Sequence, residues 1–321
     1  VLQPHLGQRP LVGLAPMAGI TDRVFRDICR QQGADYAVSE MVASRKSLWD
    51  SQKSSTRNAS ADETSPRIVQ LIGTEPEELA EAAVWQASQG AQVIDINMGC
   101  PAKKVCDVAA GSALMAHPDK VQAIFEALVS AVDLPITVKT RTGSDAEHQN
   151  VLEIAQIAQA CGLKGMSIHG RTRADKFSGH AEYNLIKLVK QQVTIPIIAN
   201  GDISTPEQAL FVLKYTASDG ILIGRAAQGY PWIFREIKHY LTTLTLAEKP
   251  SLSEFESTIN THLTGLYELY GSHLGIRIAR KHIGWYSQYL PNGEVLRKDF
   301  NRLETPQTQL RLIQSYFHEH T

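Results

Sequence analysis

Val93-Ile94-Asp95-Ile96-Asn97-Met98-Gly99-Cys100-Pro101-Ala102-Lys103-Lys104 is the stretch on which the reading of this chain turns. Val93 to Ile96 are mostly β-branched, which suits a strand covered on both faces, and the strand stops at Gly99. Asp95 and Asn97 interrupt the apolar run, and buried polar groups need a hydrogen-bond partner or a task. Cys100 stands between glycine and proline, so the thiol is carried on a sharp turn at a strand end. Two lysines three and four positions later lower the cost of negative charge nearby. Taken alone, the motif reads equally well as a loop cysteine after an ordinary strand.

Outward from this stretch, strand and helix patterns alternate. Candidate strands cover 11–17, 37–41, 67–73, 93–99, 136–141, 165–170, 195–201 and 220–225. Between them lie helical patterns with start signals. Thr205-Pro206-Glu207-Gln208 combines an N-cap, a proline at the first helical position and a capping-box partner, and Thr74-Glu75-Pro76-Glu77 is similar. Eight strands, each followed by a helix, predict an α/β fold of the (β/α)8 TIM-barrel class. An open doubly wound sheet is the competitor, but it would gather its glycine-punctuated strand ends at one switch point. Here polar strand ends recur throughout: Ala15-Pro16-Met17-Ala18, Ser39-Glu40-Met41, Gln70, Asn97-Met98-Gly99-Cys100, Lys139-Thr140-Arg141, His169-Gly170-Arg171, Asn200-Gly201-Asp202 and Gly224-Arg225. In such barrels the active site lies at these ends. The last two supply backbone N–H groups where side chains are small and a ligand can come close, which suits a phosphate.

A second region opens near residue 244, giving a domain division of 1–243 and 244–321. Lys249-Pro250-Ser251 reads as a linker, and Ser253-Glu254-Phe255-Glu256 as a capping box that starts a helix. Phe255, Ile259, Leu263, Leu266 and Tyr270 share one helical face. Further helices are expected over 274–290 and 308–317, making a small all-helical domain. Arg277, Arg280 and Lys281 fall at i, i+3 and i+4, with His282, Trp285 and Tyr286 close by. A solvated basic face is the plain reading of such charges, while basic residues interleaved with aromatics also suit an RNA backbone.

Composition narrows the class. The formal net charge is −1 over 321 residues, so any nucleic-acid contact has to come from a local basic patch. No apolar run is long enough to span a membrane, and the first ten residues lack the apolar core of a leader, so export is not expected. Cysteines at 29, 100, 106 and 161 fit neither a disulfide framework nor a zinc site. A cytoplasmic protein without metal is expected.

The residues also carry a resemblance. Ala15-Pro-Met-Ala-Gly-Ile-Thr-Asp22, Val38-Ser-Glu-Met41, Asp95 through Val105, Ala110-Gly-Ser-Ala113, Lys139, Ile168-His-Gly-Arg-Thr-Arg173, Ile198-Ala-Asn-Gly-Asp202, Ile223 through Gly229 and Arg277-Ile-Ala-Arg-Lys-His282 together resemble the bacterial tRNA-dihydrouridine synthases, and within them the B subfamily. The resemblance implies an FMN-bearing barrel, a helical tRNA-recognition domain, and NADPH-dependent reduction of the C5=C6 bond of a D-loop uridine, at position 17. It places Pro16, Met17 and Ala18 beside the flavin and Gln70 on its polar edge. Lys139 falls near N1/O2, where the reduced ring gathers negative charge, and His169 also on the flavin. Asn200, Gly201, Asp202, Gly224 and Arg225 match the ribityl and phosphate positions. Cys100 matches the family's proton donor to C5, opposite hydride delivery from flavin N5 to C6. Asn97 and Lys103 are candidates for the uracil edge or its phosphate, and Arg277, Arg280 and Lys281 for the tRNA backbone. The expected partner is tRNA, met by a monomer. One departure stands out: Cys106-Asp107-Val108 occupies a stretch where related sequences often carry basic residues.

Two other classes compete. An aldolase barrel would use Lys139 as a Schiff-base amine beside a sugar phosphate, but has no use for Cys100 or a basic appendage. A tRNA-binding protein without catalysis would have no reason to keep Cys100, Lys139 and His169 together.

Overall fold

The structure is a computed structural model that describes residues 9–49, 51–60, 62–106 and 110–320, with the side chains at 52, 53, 103 and 104 excepted. Residues 1–8, most of the segment read for a leader, lie outside it, as do Asp107 and Val108 of the departing stretch. The strands are β1 (Leu11–Leu14), β2 (Tyr36–Ala37), β3 (Val42–Ala43), β4 (Ile68–Ile72), β5 (Val93–Met98), β6 (Ile136–Arg141), β7 (Met166–His169), β8 (Ile197–Asn200) and β9 (Gly220–Ile223). All neighbours run parallel, in the order β2-β1-β9-β8-β7-β6-β5-β4-β3.

The two ends of that order are successive pieces of one wall strand. β2 pairs with β1, Val38 then bridges Ile68 of β4, and β3 continues along β4. The sheet therefore closes into the expected (β/α)8 barrel, but its second strand is broken where one strand over 37–41 was expected. The reason is polar: Ser39 and Glu40 are 1% exposed and commit their side chains to partners distant in the chain. Ser39 Oγ accepts from the Gln70 N–H at 3.0 Å, and the Glu40 carboxylate takes the Gly19 N–H and pairs with Arg57.

Alternation along the strands sorts side chains between two cores. Ala15, Tyr36, Val38, Ile68, Val93, Ile198 and Leu222 plug the barrel interior. The Tyr36 ring comes within 2.6 Å of where a Cβ on Gly13 would stand, so β1 needs glycine there. Ile94, Ile96 and Met98 belong instead to the larger cluster beneath the surrounding helices. Asp95 and Asn97 thus share the inward face of β5 with Val93. The helix Pro206–Thr216 starts as expected, with Thr205 Oγ1 accepting from the Gln208 N–H at 3.2 Å. In the helix Pro76–Ser88 the N-cap is Glu75, with no side-chain cap bond, so Thr74 does not cap it.

Beyond the helix Ile233–Thr243, the chain forms helices Leu252–Tyr286, Gly293–Phe300 and Pro306–His320. The capping box is Ser251 with Glu254, not the one expected at Ser253. Two overlapping Ser-x-x-Glu spacings lie here, and the earlier one brings Leu252 into the helix and against the core. Within Leu252–Tyr286, Gly271 has φ 73° and ψ 171°, which breaks the helix into two. The halves fold back on each other: His262 Nδ1 lies 3.1 Å from the Tyr286 hydroxyl, and the His262 and His282 rings are 4.3 Å apart. The second half ends at Tyr286 in a 3-10 turn, short of the expected 290. This hairpin packs on the first barrel helix, Arg23–Gln31, where the Phe25 ring stacks on His262 at 5.6 Å. Among the described residues no helix is long and apolar enough to cross a membrane.

Candidate active site

Strand register sets the site. Across neighbouring strands Gln70 stands beside Asp95, Asn97 beside Lys139, Arg141 beside His169, and His169 beside Asn200. Each pair shares a level of the wall, so inward polar side chains from β4 to β8 converge at the C-terminal mouth.

At the centre is the turn after β5. Asn97 Oδ1 accepts from the N–H groups of Gly99 at 3.1 Å and Cys100 at 2.9 Å, an Asx-type cap that fixes the turn. The Cys100 carbonyl accepts from Ser112 Oγ at 2.8 Å. Gly111, at φ 61°, approaches the same carbonyl so closely that a Cβ there would stand 2.8 Å from it. Arg141 Nε holds the Gly99 carbonyl at 2.7 Å. The thiol itself is half-buried and free of any disulfide. Cys106 is not remote: its Sγ lies 3.6 Å from the Cys100 carbonyl.

Asn97 was a candidate for the uracil edge, yet its amide is largely committed to the protein. Its Nδ2 donates to Gln70 Oε1 at 2.7 Å, and Gln70 Nε2 donates to Asp95 Oδ2 at 2.7 Å. Beside this chain, burial and the Arg141 charge lower the Lys139 ammonium to about 8. Lys139 has neither hydrogen-bond nor ion-pair partner among the described residues. The Asp95 carboxylate opposes that shift without forming an ion pair, so the half-buried ammonium keeps its donors for a ligand, and a desolvated charge is costly until it is paired.

His169 is pushed down to about 2 by burial and by the cations Lys139, Arg141, Arg171 and Arg225 around it, so its imidazole is neutral. Arg171, 3% exposed, directs one guanidinium nitrogen at His169 Nε2 from 3.3 Å and grips the Asp202 carboxylate at 2.7 and 3.0 Å. Nε2 facing an N–H donor leaves the ring proton on Nδ1. Arg225 joins the same carboxylate at 2.9 Å. Asp202 therefore offers a ligand its backbone rather than its side chain. The N–H groups of Gly201, Asp202, Gly224 and Arg225 have no acceptor among the described residues. Arg225–Ala227 forms a short 3-10 turn directly after Gly224. Met17 closes the ring from β1, with its Sδ 3.6 Å from Gln228 Nε2 and near Gly224, and Pro16 and Ala18 flank it on the same loop. Asn200 Nδ2 donates to the Leu222 carbonyl at 2.9 Å.

These features fit a flavin mononucleotide. Four N–H groups and a tethered arginine suit its phosphate, and an unpaired ammonium suits the pyrimidine edge of its ring. The candidates for tRNA contact differ in their reach. Lys281 reaches the mouth, donating to the Gly19 carbonyl, whereas Arg277 is exposed and Arg280 donates to the Leu303 carbonyl at 3.0 Å. The side chain of Lys103 falls outside the described residues. Sequence reasoning did not single out Arg141, Arg171 or Phe177. Two of these had a signal: Arg141 and Arg171 lie two residues beyond Lys139 and His169, the spacing that returns a strand to the same face. Phe177, 59% exposed, sits between the Arg141 and Arg225 guanidiniums at 5.6 and 5.7 Å, and nothing in its loop sequence announces that.

The model of the family described as dihydrouridine synthase matches residues 13–321. The chain is 51% identical over 306 residues to the tRNA-dihydrouridine synthase B of Shewanella oneidensis, covering 95% of each, and 52% identical over 303 residues to that of Salmonella typhimurium, covering 94% of each. Among solved structures, histamine dehydrogenase from Rhizobium sp. 4-9 superposes with a TM-score of 0.52 at 11% identity, over 82% of this chain and 50% of that one. At that identity the likeness concerns the fold, and this chain spans half the length of that protein.

Proposed function

Because the chain belongs to the dihydrouridine synthase family, and is a flavin-dependent oxidoreductase that reduces uridine in tRNA, we propose that Cys100 is the acid that completes this reduction. FMN, reduced by NADPH, supplies the chemistry of hydride transfer to uracil C6. Addition at C6 leaves enolate character along C5–C4–O4 of the base, and a proton has to arrive at C5. The Cys100 thiol gives that proton to C5, the C5–H bond forms as the S–H bond breaks, and the thiolate regains a proton from water. Balanced, one uridine, one NADPH and one proton become dihydrouridine and NADP+.

The supporting observation is the Asn97 cap, which holds the Cys100 turn at the mouth beside the unpaired Lys139 ammonium. Lys139 takes the pyrimidine edge of the flavin, with Gln70 and neutral His169 as further ring contacts. Gly201, Asp202, Gly224 and Arg225 take the phosphate through backbone N–H groups and one guanidinium. Pro16, Met17, Ala18 and Asn200 line the remainder. Residues 1–243 act as the catalytic barrel and 244–321 as the tRNA-recognition domain, and the uridine at position 17 is the target. Comparing dihydrouridine maps of tRNA from a strain lacking the gene with maps after its return tests that position.

Cys100→Ala tests the central role. The variant is expected to hold FMN, yet to reduce unmodified tRNA about 10²–10⁴-fold more slowly, the usual worth of a positioned general acid. Oxidation of pre-reduced enzyme by tRNA is the measurement, and near-parental rates would remove Cys100 from the role. Because the Cys106 thiol touches the Cys100 carbonyl, Cys106→Ser is a gentler control than alanine.

A further inference from the structure

The hydrogen bonds behind the Cys100 turn form one directed chain. Thr137 Oγ1 donates to Asp95 Oδ1 at 2.6 Å, and Gln70 Nε2 donates to Asp95 Oδ2 at 2.7 Å. Asn97 Nδ2 donates to Gln70 Oε1 at 2.7 Å, and Asn97 Oδ1 receives the Gly99 and Cys100 N–H groups at 3.1 and 2.9 Å. Two of the links, Gln70 and Asn97, are amides, whose oxygen and nitrogen ends can exchange by a half-turn. Only a neighbour of fixed character decides which end faces where. An ionised carboxylate accepts and never donates, so Asp95 compels Gln70 to present nitrogen to it and oxygen to Asn97. Asn97 is then compelled to turn its oxygen toward the cysteine turn.

Asp95 is 4% exposed and sits just above the apolar plug, next to the Tyr36, Val38 and Ile68 layer. A carboxylate at such a depth costs several kcal/mol before partners compensate it. Burial indeed raises its proton affinity, and the bonds from Thr137 and Gln70 oppose that rise. The Lys139 ammonium also favours the charged form, and at its own level Asp95 stands between Gln70 and Thr137, one step above the aliphatic and aromatic plug.

We propose that Asp95 is a positioning residue, whose acceptor-only carboxylate sets the orientation of the Gln70 amide and, through Asn97, the turn that presents the Cys100 thiol. This rests on the role given to Cys100 above. It adds that both the acid and the Gln70 contact to the flavin take their orientation from one group that touches neither substrate nor cofactor. With Gln70 committed in this sense, one N–H and one oxygen lone pair remain on its amide for a ligand, in a fixed order.

The test compares Asp95→Leu, Asp95→Asn and Thr137→Val with the parent. Leucine fills the volume but accepts nothing. Asparagine can keep its oxygen toward Gln70, and Thr137→Val removes one of the two donors without changing shape. The first measurement needs no turnover: alkylation of Cys100 by iodoacetamide, followed by peptide mass mapping, with Cys161 in the same sample as reference. In Asp95→Leu the Cys100 rate is expected to rise several-fold relative to Cys161, because the turn loses its orienting chain, while Asp95→Asn stays near the parent. The second is kcat for tRNA, expected to fall about 10²-fold in Asp95→Leu, a typical loss for a reacting group displaced by about an ångström. It should recover most of the way in Asp95→Asn, with KM for tRNA changing little.

Parental alkylation and kcat in Asp95→Leu would overturn the proposal. So would an Asp95→Asn as impaired as the leucine variant, which would make the negative charge rather than the acceptor the relevant property. If Asp95→Leu does not fold, Thr137→Val carries the test, with a smaller shift of the Cys100-to-Cys161 ratio in the same direction expected and no shift overturning it. Cys100→Ala runs alongside. If that variant reduces tRNA like the parent, the catalytic reading fails. If it is inactive while Asp95→Leu is normal, only the Asp95 proposal fails.

Discussion

Lys139 states the conflict between stability and function at the level of one side chain. Its half-buried ammonium has no hydrogen-bond or ion-pair partner among the described residues, and despite the opposing Asp95 charge it is lowered from 10.5 to about 8. In the flavin-free protein this group binds its proton more weakly folded than unfolded, so the charge opposes folding. The penalty is fully present below about 8 and disappears as pH rises through 10.5. Lys139→Met, which keeps the stem and removes the charge, should therefore stabilise the flavin-free protein by about 3 kcal/mol at neutral pH, each unit of pKa being worth about 1.4 kcal/mol. The gain should fade between pH 8 and 10.5. The same variant should bind FMN more weakly. Denaturant unfolding of the flavin-free form across that range, beside flavin titration at pH 7, checks both halves. A methionine variant that is less stable and equally able to bind FMN would mean that the ammonium already has its counter-charge within the protein.

Among the elements, the break at Gly271 governs the helical region. With φ 73° and ψ 171° the residue lies where side chains are strained, although nothing stands within 4 Å of a Cβ placed there. Its constraint is therefore purely conformational. Gly271→Ala is expected to cost about 1–3 kcal/mol, measured as a lower unfolding midpoint, because no neighbour needs to move and only backbone strain is added. A neutral alanine would show that the hairpin can turn by another route. This break was legible in the sequence, since the apolar face ended at Tyr270 and the next helical pattern began at 274. The helix start was misplaced because two Ser-x-x-Glu spacings overlap, and only packing of Leu252 separates them. The broken second barrel strand was illegible for a related reason: Ser39 and Glu40 leave the ladder for partners at Gln70, Gly19 and Arg57, which are far away in the chain. In the site, the inward residues of each strand could be read from alternation. Which amide faced which neighbour could not, because that depends on contacts between strands.

For the whole molecule, the question is how an RNA meets the mouth. The helical hairpin touches the barrel through Phe25, Val24 and the loop after β1, where Lys281 bonds the Gly19 carbonyl and Tyr270 lies 3.3 Å from Asp22. Arg277 points to solvent one turn before Lys281, while Arg280 is turned toward Leu303. If tRNA phosphates lie along this face, Arg277→Ala should weaken tRNA binding and reduce the slope of log K against log salt by about one. Arg280→Ala should act mainly on stability. Equal salt slopes for parent and Arg277→Ala, measured by binding titrations at several salt concentrations, would leave Arg277 a solvated surface charge. The closure of the barrel carries one more consequence, in time rather than space. β1 is completed by β9, so Leu11 waits for Gly220. At about 5–20 residues per second on the ribosome, roughly 10–40 s separate the synthesis of the two strands. Gln70, Asn97, Lys139, His169 and Asn200 are all made in that interval, yet the phosphate end at Gly224 and Arg225 arrives last. The growing chain therefore carries only the Gly201 and Asp202 half of the phosphate cradle until β9 is made, and the complete FMN site can form only once the wall is nearly finished.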